Sequence, residues 1–76
     1  MLDIHDLIPS MKKGWVAMDK NYSWWWFRFK PKLSEASGIW FSEYQHTNFV
    51  FRLSDCLDIK PTESWATSLI EVKNDR

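Results

Sequence analysis

The side chains that could act as nucleophiles, bases or metal ligands are few and dispersed along this sequence. Cys56 is the only cysteine, and the two histidines, His5 and His46, lie far apart in the chain. A nucleophilic centre needs a thiol or hydroxyl, an imidazole and an orienting carboxylate held together. Cys56, His46 and Asp55 supply these types without any local motif. We therefore predict that the protein is not an enzyme, with no catalytic residue, no metal site and no cofactor.

A different chemistry, recognition by aromatic and basic side chains, is indicated by the segment YSWWWFRFK from Tyr22 to Lys30. The chain holds six Trp, five Phe and two Tyr in 76 residues. A domain of this size has a small core, which a few large rings can fill. Trp, Tyr and Arg also dominate protein-binding hot spots, and rings interleaved with cations bind single-stranded nucleic acid. The segment is consistent with either kind of binding.

The charge balance argues against binding to duplex nucleic acid. Ten Lys and Arg residues match ten Asp and Glu residues, whereas duplex binders usually carry a basic excess. A neutral chain also tends to self-associate, so a homodimer is one option. The two glycines, Gly14 and Gly38, form no phosphate-binding loop.

A cytoplasmic location is predicted. The sequence has no signal-peptide pattern and no apolar run of about 20 residues that would span a membrane. Cys56 cannot form an internal disulfide, which is typical of a reducing compartment. As a lone cysteine it is expected to be a small buried apolar residue.

Hydrophobic periodicity predicts one domain over residues 1–76, with a helical lead (1–13), an antiparallel sheet (14–72) and a tail (73–76). Asp3 can cap a short helix that Pro9 ends or breaks. From Trp15 the period changes to two, which is typical of strands. The sheet is predicted to have four or five strands: WVAMD and WWWFRFK joined by a turn, then IWFSE, NFVFRL and, as either a strand or a helix, WATSLIEVK. Residues 32–38 are expected to be a polar loop. The fold class is α+β, mainly β.

The pairing of the first hairpin decides which rings face the core. A turn centred on Asn21 and Tyr22 places residue 18 opposite 25 and residue 16 opposite 27, and Asp19 is expected to stabilise that turn. Side chains alternate between the two faces of a sheet, and a slip of one residue would exchange the faces. The predicted core face carries Val16, Met18, Trp25, Phe27 and Phe29, and the opposite face carries Trp15, Ala17, Asp19, Trp24, Trp26, Arg28 and Lys30. The same alternation along NFVFRL predicts that Phe49, Phe51 and Leu53 point inward.

Two alternatives remain for the second face. Either the N-terminal segment and the tail cover it, or several of its rings are partly exposed. An exposed apolar patch that contains an arginine is typical of a binding surface. On the second alternative, the predicted partner-binding residues are Trp24, Trp26, Arg28, Lys30, Trp40 and Tyr44.

A set of short motifs is spread along most of the chain: Asp6–Pro9, Lys13–Asp19 (KGWVAMD), the tryptophan-rich Trp24–Phe27, Lys30 with Pro31, and Trp65 with Ser68–Ile70. This pattern resembles that of a class of small accessory proteins of tailed phages and prophages. The chain departs from the pattern of that class at the turn Lys20–Tyr22, where a glycine is usual.

The resemblance implies a phage accessory protein that binds a host protein or protein–nucleic-acid complex stoichiometrically, as inhibitors of CRISPR or restriction enzymes do. It assigns no active site, and for a phage-encoded protein it implies the cytoplasm of the host cell as the location. The alternative function is a single-strand nucleic-acid-binding module in which Trp and Arg side chains stack on bases.

Overall fold

The structure, a computed structural model, describes residues 1–43 and 49–74. These residues form a short helical segment and two antiparallel sheets, which confirms the predicted α+β, mainly β class. No helix among them is both long and apolar enough to cross a membrane. The elements are helix α1 (Ile4–Leu7), strands β1 (Gly14–Met18), β2 (Trp24–Phe27), β3 (Lys32–Ser34), β4 (Ile39–Phe41), β5 (Val50–Arg52) and β6 (Ile70–Val72), and 3₁₀ turns at Ile8–Ser10, Leu53–Asp55 and Trp65–Thr67.

The main sheet has four strands in the order β5-β2-β1-β6, and every neighbouring pair is antiparallel. The sequence had suggested that strand β4 joins this sheet. Instead, β4 pairs with β3 in a separate hairpin. The predicted polar loop over residues 32–38 is therefore wrong in its first part, because Lys32–Ser34 is a strand. The final segment, WATSLIEVK, had been predicted to be either a strand or a helix. It contains a 3₁₀ turn followed by the closing strand β6.

The N-terminal lead is anchored at several points to the rest of the chain. Asp3 accepts a hydrogen bond from the His5 backbone N–H at 2.9 Å and so caps α1. The chain before the helix is bridged to the segment after β5, because the Leu2 N–H donates to the Asp58 carbonyl at 2.8 Å. From the other end of the chain, the Asn74 amide donates to the carbonyls of Ile8 and Met11 at 2.7 and 2.9 Å.

The first hairpin has a three-residue loop, Lys20 to Tyr22, and this loop fixes the register. The Asp19 N–H donates to the Ser23 carbonyl, and the Tyr22 N–H donates to the Asp19 carbonyl, both at 2.9 Å. Tyr22 has φ +71°, the left-handed conformation usual at the last position of such loops. Consequently Met18 lies opposite Trp24. The predicted register, with residue 18 opposite 25, is wrong by one residue.

This shift exchanges the faces of β2 and places a core on each side of the main sheet. On the first face Val16, Met18 and Trp24 pack with residues from the N-terminal lead, the segment after β5 and β6: Ile4, Leu53, Ile59 and Val72. On the second face Ala17 and Phe27 pack with Trp40 of β4. Cys56, which was expected to be buried, is exposed. It ends the 3₁₀ turn Leu53–Asp55, in which only Leu53 is buried.

The left-handed residue of the loop gives a direct test of the turn. A side chain other than glycine at positive φ is strained, and the Tyr22 side chain is exposed. We therefore expect Tyr22→Gly to raise the free energy of unfolding by about 0.5–1 kcal/mol in urea denaturation. Lys20→Gly is the matched control. Lys20 does not have a positive φ, so glycine relieves no strain there and should lower stability by making the unfolded chain more flexible. Equal destabilisation by both changes would contradict the loop conformation.

Candidate binding surface

Two of the predicted surface residues belong to the cores. Trp24 is 1 % exposed and Trp40 is 9 % exposed, so the prediction that they are accessible to a partner is wrong. The register slip turns Trp24 inward, and its indole N–H donates to the Lys60 carbonyl at 3.2 Å. The Trp40 indole N–H donates to the Trp65 carbonyl at 2.9 Å. Tyr44, the sixth predicted residue, lies outside the described residues.

The other predicted residues remain at the surface. Arg28 and Lys30 are exposed, and Trp26 is half-buried. The Trp26 ring lies against the backbone of Gly14, where an added Cβ would come within 2.9 Å of ring atoms. Its indole N–H donates to the Lys12 carbonyl at 3.1 Å, which fixes the ring in place. Trp26 therefore contributes both to the fold and to the surface.

Further rings join Trp26 and Arg28 along the pairing of β2 with β5. Phe51 lies directly opposite Trp26, and the Arg28 N–H donates to the Phe49 carbonyl at 2.8 Å. The Phe29 and Phe49 rings meet edge to face with centroids 5.4 Å apart. The Arg28 guanidinium lies 5.6 Å from the Phe29 ring centroid. We call this set, Trp26, Arg28, Phe29, Phe49 and Phe51, the β2–β5 patch.

The β2–β5 patch contains the exposed rings that the sequence had placed in the core. Phe51 is 49 % exposed and Phe29 is 40 % exposed. The alternation along NFVFRL predicted Phe51 to point inward beside Leu53, and only Leu53 is buried. The reason is topological: β5 is an edge strand, and Phe51 is not among the residues of either core. No feature of the sequence identified β5 as an edge.

Strand β5 also offers its backbone. Because the Arg28 N–H bonds to Phe49, the alternation of an antiparallel ladder turns the backbone groups of Phe49 and Phe51 toward β2. Those of Val50 and Arg52 point away from β2, at the edge of the sheet. An edge strand with outward N–H and C=O groups is a template for a further strand.

The buried carboxylate of Asp19 attaches the β3–β4 hairpin to the main sheet. Its Oδ1 accepts a hydrogen bond from the Trp40 backbone N–H at 2.8 Å, so its side chain serves this contact rather than the turn. Burial raises the pKa of Asp19, while the Trp40 N–H, the Trp25 indole and the Arg52 charge oppose that rise. The Trp25 indole N–H is buried and makes no hydrogen bond of ordinary geometry with the described residues.

A cavity of about 300 Å³ lies beside Asp19, between β2 and β4. Its walls are mostly apolar and include Trp25, Phe27 and Trp40. No group of three or more His, Cys, Asp or Glu side chains within the described ranges is placed to hold a metal ion. Asp19 is therefore interpreted as a structural carboxylate of the second core.

No protein family model matches the chain, and comparison with curated proteins and with solved structures found no significant similarity. The functional interpretation therefore depends on the β2–β5 patch and its surroundings.

The raised pKa of Asp19 predicts a pH dependence of stability. The folded state holds this proton more tightly than the unfolded chain, so the contribution of Asp19 to stability decreases as pH rises from about 3.8 through the folded-state pKa. Asp19→Asn keeps an oxygen acceptor for Trp40 and removes the titration. We expect wild-type stability to fall relative to Asp19→Asn across that window, measured by urea denaturation at several pH values.

Asp3 and Glu43 also make stability depend on pH, in the opposite direction, because their pKa values are lowered by a hydrogen bond from His5 and by Lys32, respectively. Both contributions are present in wild type and in Asp19→Asn, so they cancel when the two proteins are compared. Asp19→Ala serves as the second variant. It leaves the Trp40 N–H without its acceptor and should cost about 1–3 kcal/mol. Parallel pH profiles for wild type and Asp19→Asn would show that Asp19 does not titrate as a buried group.

Proposed function

We propose that this protein is a non-enzymatic binding module that acts by stoichiometric attachment of the β2–β5 patch to a partner protein. The observation that carries the proposal is the exposure of Phe51 beside Arg28 and the half-buried Trp26. A chain this small needs its apolar rings for the core, and it fills two cores with others. Rings left outside, with an arginine among them, match the composition of binding hot spots.

The geometry of the patch supports a protein partner. Trp26 is held by its bond to Lys12 and by its contact with Gly14, so little side-chain freedom is lost when it binds. The adjacent β5 edge can accept an extended segment of the partner through the backbone groups of Val50 and Arg52. Rings for side-chain contacts and an edge for main-chain bonds are thus combined on one side of the sheet.

The resemblance to small phage and prophage accessory proteins suggests the biological setting. Such proteins commonly inhibit a host machine by covering a surface, which requires a binding patch and no catalytic group. We therefore propose a host defence or nucleic-acid enzyme as the partner, in the manner of anti-CRISPR or anti-restriction inhibitors, and action in the host cytoplasm.

The proposal predicts that partner binding depends on Phe51. Trp26 is a poor test because truncating it would also remove a structural hydrogen bond. Phe51→Ala should weaken capture of a host protein at least tenfold, about 1.4 kcal/mol, with the melting temperature nearly unchanged. The measurement is affinity capture from a bacterial lysate, followed by titration of the purified partner.

Ile39→Ala is the matched control, because Ile39 is an apolar residue of similar exposure, 39 %, on the other hairpin. Wild type and Ile39→Ala should retain the partner equally. Loss of binding on Ile39→Ala with full binding by Phe51→Ala would move the site to the β3–β4 hairpin and contradict the proposal.

A further inference from the structure

The neutral total charge conceals an uneven distribution over the molecule. Half of the ten basic residues lie at one end of the main sheet, where β1 begins, β2 ends and β6 ends. All five are exposed. We call them the basic end: Lys12, Lys13, Arg28, Lys30 and Lys73.

The strand register brings these residues together. Gly14 pairs with Val72, and Lys13 and Lys73 are the next residues beyond that pair. The Lys12 carbonyl accepts the Trp26 indole N–H. Lys30 turns back over the sheet, with its Nζ 5.5 Å from the Trp15 ring centroid. Arg28 belongs to the β2–β5 patch, so the basic end and the patch share this residue.

The described carboxylates do not neutralise this end. The ion pairs formed within residues 1–43 and 49–74 use other cations: His5 and Lys60 with Asp3, Lys32 with Glu43, and Arg52 with Asp55. Two carboxylates lie on adjoining elements, Glu71 opposite Trp15 and Asp6 in α1. Neither is within ion-pair distance of the five cations, so positive charge is in excess among the residues of this end that the structure describes.

At the opposite end of the sheet, carboxylates and cations occur together, and Arg52 pairs with Asp55. The hairpin loop at Tyr22 shares a groove with Asp55 and Asp58, and Glu63 follows in the same segment. The sheet therefore has a basic end beside the exposed rings and an end of mixed charge beside the hairpin loop, where Lys20, Arg52 and Lys60 also lie. Neighbouring like charges are unfavourable for a sheet, and neither Lys13 nor Lys73 forms an ion pair with a described carboxylate.

We propose that the basic end, together with the β2–β5 patch, recognises an acidic segment of a protein, one in which carboxylates alternate with apolar side chains. This proposal rests on the proposed function and names the chemistry of the partner. Carboxylates would meet Lys13, Lys73 and Arg28, and the apolar side chains would contact Phe51 and Trp26. Arginine binds carboxylates through two parallel hydrogen bonds, which adds geometric specificity.

A single-stranded nucleic acid fits this surface less well. Bases bind by stacking on open ring faces. Here cations already lie by two of the rings, Arg28 by Phe29 and Lys30 by Trp15, and Phe29 also meets Phe49 edge to face. A stacked base would have to displace these contacts, whereas carboxylates bind to the cations where they are.

The test is fluorescence anisotropy with three labelled probes of equal length: a peptide alternating glutamate and leucine, the same peptide with glutamine in place of glutamate, and oligodeoxythymidylate. The intact protein should bind the glutamate peptide in preference to both others. Its affinity should fall several-fold between about 50 and 200 mM salt, because exposed charges are screened over about 10 Å. Tighter binding of the oligonucleotide than of the glutamate peptide would overturn the proposal in favour of nucleic acid.

Matched double variants locate the charge. Lys13→Gln with Lys73→Gln should weaken binding of the glutamate peptide about tenfold, without lowering the melting temperature. Lys20→Gln with Lys32→Gln removes the same charge elsewhere and should leave binding unchanged. Equal effects of the two double variants would overturn the proposal.

The variants also separate this inference from the proposed function. If partner capture is lost with Phe51→Ala but is unaffected by Lys13→Gln with Lys73→Gln, the patch is a binding site and the acidic partner is wrong. If the lysine variant loses the glutamate peptide while Phe51→Ala keeps full partner capture, the charge recognition holds and the proposed role of the patch fails.

Discussion

The structure depends on the three-residue loop of the first hairpin. The bond from Asp19 to Ser23 and the left-handed Tyr22 set the pairing of β1 with β2. Because side chains alternate strictly along strands, this one choice assigns Trp24 to the first face and Trp25 to the second. It also fixes where Trp26 meets β5. A loop one residue shorter would reverse the faces of β2 and bury a different set of rings.

Two covering layers follow from that register. The N-terminal lead and the segment after β5 cover the first face, and the β3–β4 hairpin covers the second through Asp19 and Trp40. The first layer packs against Trp26, whereas Phe51 opposite it on the edge strand stays accessible. The candidate surface therefore arises because the segments that cover the two faces of the sheet leave part of its edge exposed. The positive charge of the surface comes from the strand ends that meet beside it.

Much of the fold could be predicted from sequence, because period-two runs and the break at Pro9 are local signals. The hairpin register could not, since no glycine marks the left-handed position and Tyr22 is an unusual choice for it. The pairing of β4 with β3, rather than with the main sheet, depends on contacts distant in sequence. Of the predicted surface residues, Trp26, Arg28 and Lys30 are accessible, whereas Trp24 and Trp40 are buried. Phe51 was missed because sequence alternation does not reveal which strand is an edge.

The register is tested most directly by cross-strand nuclear Overhauser effects between α-protons, which are strong only for residues opposite each other in non-hydrogen-bonded pairs of an antiparallel sheet. The loop bonds at Asp19 and Ser23 make Met18–Trp24 and Val16–Trp26 such pairs. We expect strong α-proton contacts for these two pairs. Contacts of Met18 with Trp25 and of Val16 with Phe27 would instead establish the alternative register and contradict the proposed surface.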